Sequence, residues 1–380
     1  MQKAELAIKN KYETIHDEIL HGILSGVYDD KLPGEMELAE FYDVSRVTVR
    51  KALSELTEEG YITRSAGKGS FVVPITASKR KNLTCDPASL KTISFIHSMT
   101  TTFFLEMFHG IESVMFPRGI QINMATAQES FEKERIAIEN AAEMSDGIIL
   151  YPYPSTSSIQ LCEELIVRHY PLVFIDHNVL DIPCCCVGSD GYQGGIQAAD
   201  YLLNKGHSKI GFSSVNFYKV PLETVNHRRK GLEARLKSRG LSLNPHYCVS
   251  GASIEEFKNN LAKILSQPDS PTAIFAASDG TAFAIYEVAR DINIRIPEDL
   301  SVIGFDNLDI SSLISPPLTT IAQPFQNIGE EAAKLLLEQK HAYDEGKSLS
   351  DYRFLPIHFV ERESVFDLTA NKCCKPKDSD

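Results

Sequence analysis

The chain has 380 residues, 43% hydrophobic and 23% charged, with a formal net charge of −13. That length allows two or three domains with full cores, and the composition is that of an ordinary soluble globular protein. The acidity would exclude a nucleic-acid partner only if charge were spread evenly, because recognition depends on local potential.

Residues 1–75 hold nine Lys/Arg against thirteen Asp/Glu, yet Arg46, Arg50, Lys51, Arg64 and Lys68 fall on two adjacent elements. No apolar run of about 18 residues suits a membrane span. Met1–Tyr12 lacks the apolar stretch of a signal peptide, so a cytoplasmic protein is expected. The eight cysteines include the triplet Cys184, Cys185 and Cys186 but no Cys-x-x-Cys spacing, so buried reduced thiols are expected rather than a disulfide framework.

Tyr12, Ile15, Ile19 and Ile23 give a first helix its core stripe, and a loop follows from Gly26 to Gly34. Glu35–Tyr42 reads as a second short helix, with a tight turn at Asp43–Val44. Ser45 then suits an N-cap. Val49, Ala52, Leu53 and Leu56 recur at helical spacing and define a buried face. The opposite face carries Arg46, Val47, Thr48, Arg50 and Lys51. Such a face suits a DNA major groove: Arg forks to guanine, Thr reaches bases or phosphate, and Val touches a thymine methyl. A solvated amphipathic helix is the plainer reading, but the flanking elements oppose it. A hairpin from Ile62 to Val73 follows, with Gly67, Lys68 and Gly69 at its tip, where glycines permit close approach to a minor groove. Helix, turn, basic helix and hairpin together read as a winged helix-turn-helix of α+β type over residues 1–74.

These residues resemble the DNA-binding domain of the GntR family of bacterial regulators. The matching positions include Leu32-Pro33-x-Glu35, Leu38-Ala39, Val44-Ser45-Arg46-x-Thr48-Val49-Arg50-x-Ala52-Leu53, Gly60-Tyr61-Ile62 and Gly67-Lys68-Gly69-Ser70-Phe71-Val72. Two positions depart from the family: Gly34 replaces a Ser or Thr cap, and Met36 replaces an Arg that reads a base in many members. Arg46 and Arg50 are therefore expected to carry base recognition.

Residues 75–91 lack apolar periodicity and read as a linker. From Thr92 short apolar runs alternate with helical patterns over some 270 residues. That alternation predicts an α/β body of two lobes with parallel sheets, covering 92–365, followed by a polar tail at 366–380. Crossovers between lobes are expected near Gly188–Asp190, Gln323 and Ser350. Ligands of open α/β sheets bind at the carboxyl ends of the strands. A sugar there needs carboxylates, a multi-donor Arg and an aromatic cover. Asp176 and Asp306 end strands, Ser278 and Asp279 end another, and Arg228 opens a helix after Lys209–Val215. Phe103 and Phe104 follow the first strand and offer the aromatic cover. Each has a plainer reading: helix caps for Asp306 and Asp279, a surface cation for Arg228, core rings for the phenylalanines.

This body resembles the effector domain of LacI-type repressors, related to periplasmic sugar-binding proteins. The matching text includes Leu202-Leu203-x-x-Gly206-His207, Arg228-x-x-Gly231, Ile296-Pro297-x-Asp299-x-x-Val302-x-Gly304-Phe305-Asp306, Pro317-Leu318-Thr319-Thr320 and Glu361-Arg362-Glu363-Ser364. The resemblance implies that Asp176, Arg228, Ser278 and Asp306 line an effector cleft and that Gln323 lies at a crossover. A GntR-type head on a LacI-type body is similar to the arabinose-responsive repressors of Gram-positive bacteria known as AraR.

His177, His207 and His227 have no metal-binding spacing, so no metal or cofactor is expected. Paired carboxylates raise a glycosidase reading, but no nucleophile elbow, P-loop or dinucleotide fingerprint accompanies them. The expected function is a homodimeric, sugar-responsive repressor released from double-stranded operator DNA by a small carbohydrate. Ligand as co-repressor, transcriptional activation, and a solute-binding receptor are the alternatives.

Overall fold

The computed structural model describes residues 15, 16, 19, 23, 28, 30–42, 44–58, 61–65, 69–73, 90–98, 103–128, 130–153, 158–177, 182–215 and 223–370. Gly67 and Lys68 at the hairpin tip, Asp43, and residues 75–89 and 371–380 lie outside them.

In the head, Ile15, Ile19 and Ile23 are helical and pack on Leu38, Val49, Leu53, Leu56 and Ile62. Helix α1 spans Glu35–Phe41 and α2 spans Arg46–Glu58. Gly34 offers no capping side chain; instead Glu37 accepts from the Gly34 backbone at 3.3 Å. Ser45 accepts from the Thr48 amide at 3.2 Å, the N-cap bond expected of its hydroxyl. Strands β1 (Ile62–Ser65) and β2 (Gly69–Val72) form the antiparallel wing.

The body has two lobes, each a six-stranded sheet with helices on both faces. In the first lobe the strands are β3 (Thr92–His97), β4 (Gln121–Thr126), β5 (Ile148–Tyr151), β6 (Leu172–Ile175), β7 (Cys185–Ser189) and β13 (Tyr352–Leu355), in the order β13-β7-β6-β5-β3-β4 and all parallel. Helix α3 (Phe104–Met115) and a C-terminal helix, α10 below, cover one face. Helices α4 (Phe131–Met144) and α5 (Ile159–Val167) cover the other.

The second lobe carries β8 (Ile210–Val215), β9 (Cys248–Gly251), β10 (Ala273–Ala276), β11 (Ser301–Asp306), β12 (Thr319–Ala322) and β14 (His358–Val360), in the order β14-β12-β11-β10-β8-β9. Only β14 runs antiparallel. Helices α6 (Gly191–Asn204) and α7 (Glu223–Ser238) cover one face; α8 (Ile254–Leu265) and α9 (Asp279–Asp291) cover the other.

The central strands β5, β6 and β10 are continuous apolar runs, as expected of strands buried on both faces. The cysteine triplet follows that rule. Cys184 and Cys186 enter one core and Cys185 the other, because successive side chains alternate across β7. Burial pushes the Cys184 thiol up to about 12 and Cys185 up to about 11, which leaves both inert at neutral pH.

Two sequence expectations need correction. The third crossover is not near Ser350. Residues 352–355 first pair with β7 in the first lobe, and the chain crosses at Pro356–Ile357 to reach β14. In addition, Phe325–Asp344 forms α10, a 20-residue helix absent from the sequence reading. Its buried Ile328, Ala332, Leu335, Leu336 and Gln339 recur at helical spacing, so the signal was present. The end of the chain also differs from a free tail as far as residue 370: Phe366 donates to Ser301 at 2.9 Å and Leu368 to the Lys205 carbonyl at 2.9 Å.

Candidate functional site

Two surfaces carry chemistry. The first is the exposed face of α2. Val47 is 74% exposed, and Arg46, Arg50 and Lys51 are exposed beside it. The sequence reading missed one residue here. Glu35, at the start of α1, accepts from Arg50 at 3.0 Å, pairs closely with Arg64 of β1, and lies 3.8 Å from Arg46. Arg50's hydrogen bond is the main reason the Glu35 carboxyl sits below the ordinary range; burial opposes it and the three guanidinium charges assist. One carboxylate thus gathers three cations from two elements, α2 and β1, on one face. Gly69 opens β2 at φ +110°, a conformation that favours glycine.

The second surface lies between the lobes, at the carboxyl ends of β6 and β7 and the start of α7. A cleft with a cavity volume of about 160 Å³, open to solvent, is lined there by Asp176, His177, Ser189, Gly191, Glu223, Thr224, His227, Arg228, Tyr352 and Phe354. Asp176 follows β6 at φ +72°, and Asp306 ends β11 at φ +119°. Both hold left-handed backbones that L side chains disfavour, a strain of about 1–3 kcal/mol each that clusters at functional positions.

Asp176 accepts from Tyr151 at 3.4 Å and faces His177 Nδ1 at 3.2 Å. Burial raises its carboxyl, but the His177 hydrogen bond and charge, with the charge of Arg228, outweigh burial and hold it below the ordinary aspartate range. Arg228 is buried, donates Nη1 to the Ala277 carbonyl at 2.5 Å, and lies over the Phe305 ring at 3.7 Å. Its Nε and the Nε2 of His177 are buried without a hydrogen-bond partner among the described residues. Buried polar atoms in that condition call for a partner, and a ligand in the cleft can supply one.

The remaining expected site residues lie elsewhere. Asp306 sits behind Arg228 and accepts from Gln323 at 2.7 Å; Gln323 in turn accepts from Ser189 at 2.5 Å. This chain links β7 of the first lobe to β11 of the second. Ser278 caps α9 through the Thr281 amide at 3.1 Å. Asp279 is fully buried, accepting from Thr320 at 2.6 Å and the Leu308 amide at 2.8 Å. Phe103 stacks on Phe325 and Phe104 on His97, each with centroids 4.3 Å apart. Asp176 and Arg228 are therefore brought together in the cleft, while these six do not line it. His177, Glu223, Thr224, His227, Tyr352 and Phe354 were missed. Adjacency to Asp176 could have found His177; nothing in the sequence places Tyr352 beside residues some 175 positions earlier. Among the described residues no group of His, Cys, Asp and Glu could hold a metal ion, and no helix is long and apolar enough to cross a membrane.

Comparison with known proteins finds relatives for both parts of the chain. Residues 11–72 match the model of the bacterial regulatory proteins of the gntR family, and residues 199–365 match that of a periplasmic binding protein-like domain. The chain is 29% identical over 341 residues to an arabinose metabolism transcriptional repressor of Halalkalibacterium halodurans, covering 87% of this chain and 89% of that protein. It is 31% identical over 268 residues to the HTH-type transcriptional repressor PurR of Vibrio vulnificus, covering 68% and 77%. A crystal structure of a LacI family transcriptional regulator from Enterococcus faecalis with bound ribose superposes with a TM-score of 0.60 at 28% identity, covering 73% of this chain and all of that one. With its head, its two-lobed body and these relatives, the chain belongs to the family of transcriptional repressors that join a GntR-type winged helix-turn-helix to a LacI-type, periplasmic-binding-protein-like effector domain.

Proposed function

We propose that the protein is a sugar-responsive repressor whose operator binding is released when a small carbohydrate fills the cleft between the lobes. The observation that carries this reading is the set of polar groups in that cleft: an Asp176 carboxyl held below the ordinary range beside the Nε of Arg228 and the Nε2 of His177, which have no partner among the described residues. A carboxylate acceptor, a guanidinium donor and an imidazole nitrogen are groups that ring hydroxyls can engage. The head supplies the DNA partner through Ser45, Arg46, Val47, Thr48, Arg50 and Lys51, with Gly67, Lys68 and Gly69 at the wing. Arabinose and ribose, the sugars associated with the similar repressor and with the similar ribose-bound regulator, are the first to test.

The repressor acts as a homodimer on a pseudo-palindromic operator. Apolar side chains exposed on both lobes support self-association: Leu105 and Phe116 on the first, Ile310 and Leu313 on the second. Sugar shifts the equilibrium between lobe arrangements by its differential affinity for them, and so alters the spacing of the two heads. Operator binding measured by fluorescence anisotropy, with and without saturating arabinose or ribose, tests the sign. The dissociation constant should rise with sugar. A fall would make the ligand a co-repressor.

A further inference from the structure

A sugar ring presents hydroxyls at its edge and C–H groups on its faces, so its site needs an apolar wall as well as polar partners. The phenylalanines after the first strand do not provide that wall, since each is stacked on another ring. A different pair borders the cleft. Tyr352 and Phe354 stand two residues apart on β13, so both leave the same face of the sheet. Their centroids are 6.1 Å apart, and they are 44% and 54% exposed.

The strand that presents them is locked in register. Leu355 turns to the opposite face and packs on the first lobe's core. Arg353, on that same side of the pleat, is tied to Asp351, Glu331 and Glu338. A one-residue slip would reverse every one of these contacts. The aromatic pair is therefore fixed on the rim of the cleft that also holds the unmet atoms of Arg228 and His177, residues only 6% and 8% exposed.

We propose that Tyr352 and Phe354 form an aromatic subsite that stacks on the C–H face of a neutral sugar ring while its hydroxyls engage Asp176, His177 and Arg228. A neutral ring fits because Asp176 and Glu223 already oppose Arg228 around the cleft. The inference rests on the cleft being the effector site.

Calorimetric titration of the full-length protein tests it, using arabinose, ribose, xylose, glucose and galactose. The variants are Tyr352→Leu, Phe354→Leu, Tyr352→Phe and, as a reference for the cleft, Asp176→Asn. Each Leu variant should bind the sugar recognised by wild type on the order of tenfold more weakly. Tyr352→Phe should stay near wild type, because the ring and not the hydroxyl makes the contact. Sugar-free melting temperatures check that the Leu variants fold. If both Leu variants bind like wild type while Asp176→Asn loses binding, the subsite is wrong and the cleft assignment stands. If Tyr352→Phe is as weak as Tyr352→Leu, stacking is wrong. If Asp176→Asn also binds like wild type, or if none of these sugars binds wild type, the cleft assignment falls and takes the subsite with it.

Discussion

Arg50 shows how a residue read as a DNA contact is prepared for that role before DNA arrives. Its guanidinium is held by Glu35, which also draws in Arg64 and stands near Arg46. A planar fork held in place loses less freedom when it meets a base edge. Arg46→Ala and Arg50→Ala should each weaken operator binding by about 1–3 kcal/mol, read from gel shifts against operator and scrambled duplexes. Glu35→Ala acts in another direction. It frees three cations, so affinity for scrambled DNA should rise and its salt dependence steepen, since more phosphates are neutralised. Unchanged binding to scrambled duplex across a salt series would show that Glu35 does not restrain them. The arginines were legible because their spacing along one helix is local. Glu35 was not, because its partners come from two other elements.

At the scale of elements, each lobe depends on a pair of helices packed at backbone distance. A Cβ on Gly195 of α6 would stand 2.0 Å from the Arg228 carbonyl of α7, and one on Gly329 of α10 would stand 2.0 Å from the Met107 carbonyl of α3. Neither alanine fits without moving a helix, so both substitutions should destabilise by about 1–3 kcal/mol, measured by urea unfolding. Their effects on ligand should differ. Gly195→Ala displaces the turn of α7 that carries Arg228 and should weaken sugar binding, while Gly329→Ala lies in the α3–α10 pair, which gives no residue to the cleft lining, and should leave it near wild type. Equal sugar affinity in the two variants would mean that Arg228 does not depend on the α6–α7 contact. The missed helix α10 belongs to this scale. Its apolar repeat is plain, but it follows a strand and crosses back to the first lobe, so the alternation of strand and helix that located the others gave no place for it.

Across the whole molecule, acids meet at the seam between the lobes. Asp279 and Asp306 are both held above the ordinary carboxylate range. Burial is the main cause for each, and the charge of Asp306 lifts Asp279 further. A carboxyl raised in the folded state favours folding below the unfolded range, and that contribution is lost as pH rises through its folded value. Asp279→Asn is a clean probe. The amide oxygen can keep the Leu308 N–H, and the amide nitrogen can donate to the Thr320 hydroxyl, which accepts as readily as it donates. The variant should therefore melt higher than wild type above about pH 7 and lose part of the pH dependence between about pH 4 and pH 7. Thermal melts over that range check it. A wild-type slope in Asp279→Asn would show that this carboxyl is not the source.

The sequence by itself determined the winged helix-turn-helix, the α/β alternation, and the placing of Asp176, Asp306 and Arg228 near strand ends. These follow from periodicities of a few residues and from side chains whose chemistry is local. Only the tertiary structure decided which of them share a cleft. Asp176 and Arg228 meet because β6 and α7 belong to different lobes that face each other across it. Ser278 and Asp279 turn inward because a helix N-terminus and two buried donors claim their oxygens first. Tyr352 and Phe354 reach the cleft because β13 returns to pair with β7 after the chain has built the whole second lobe. No spacing along the chain records that return, since it is set by sheet register.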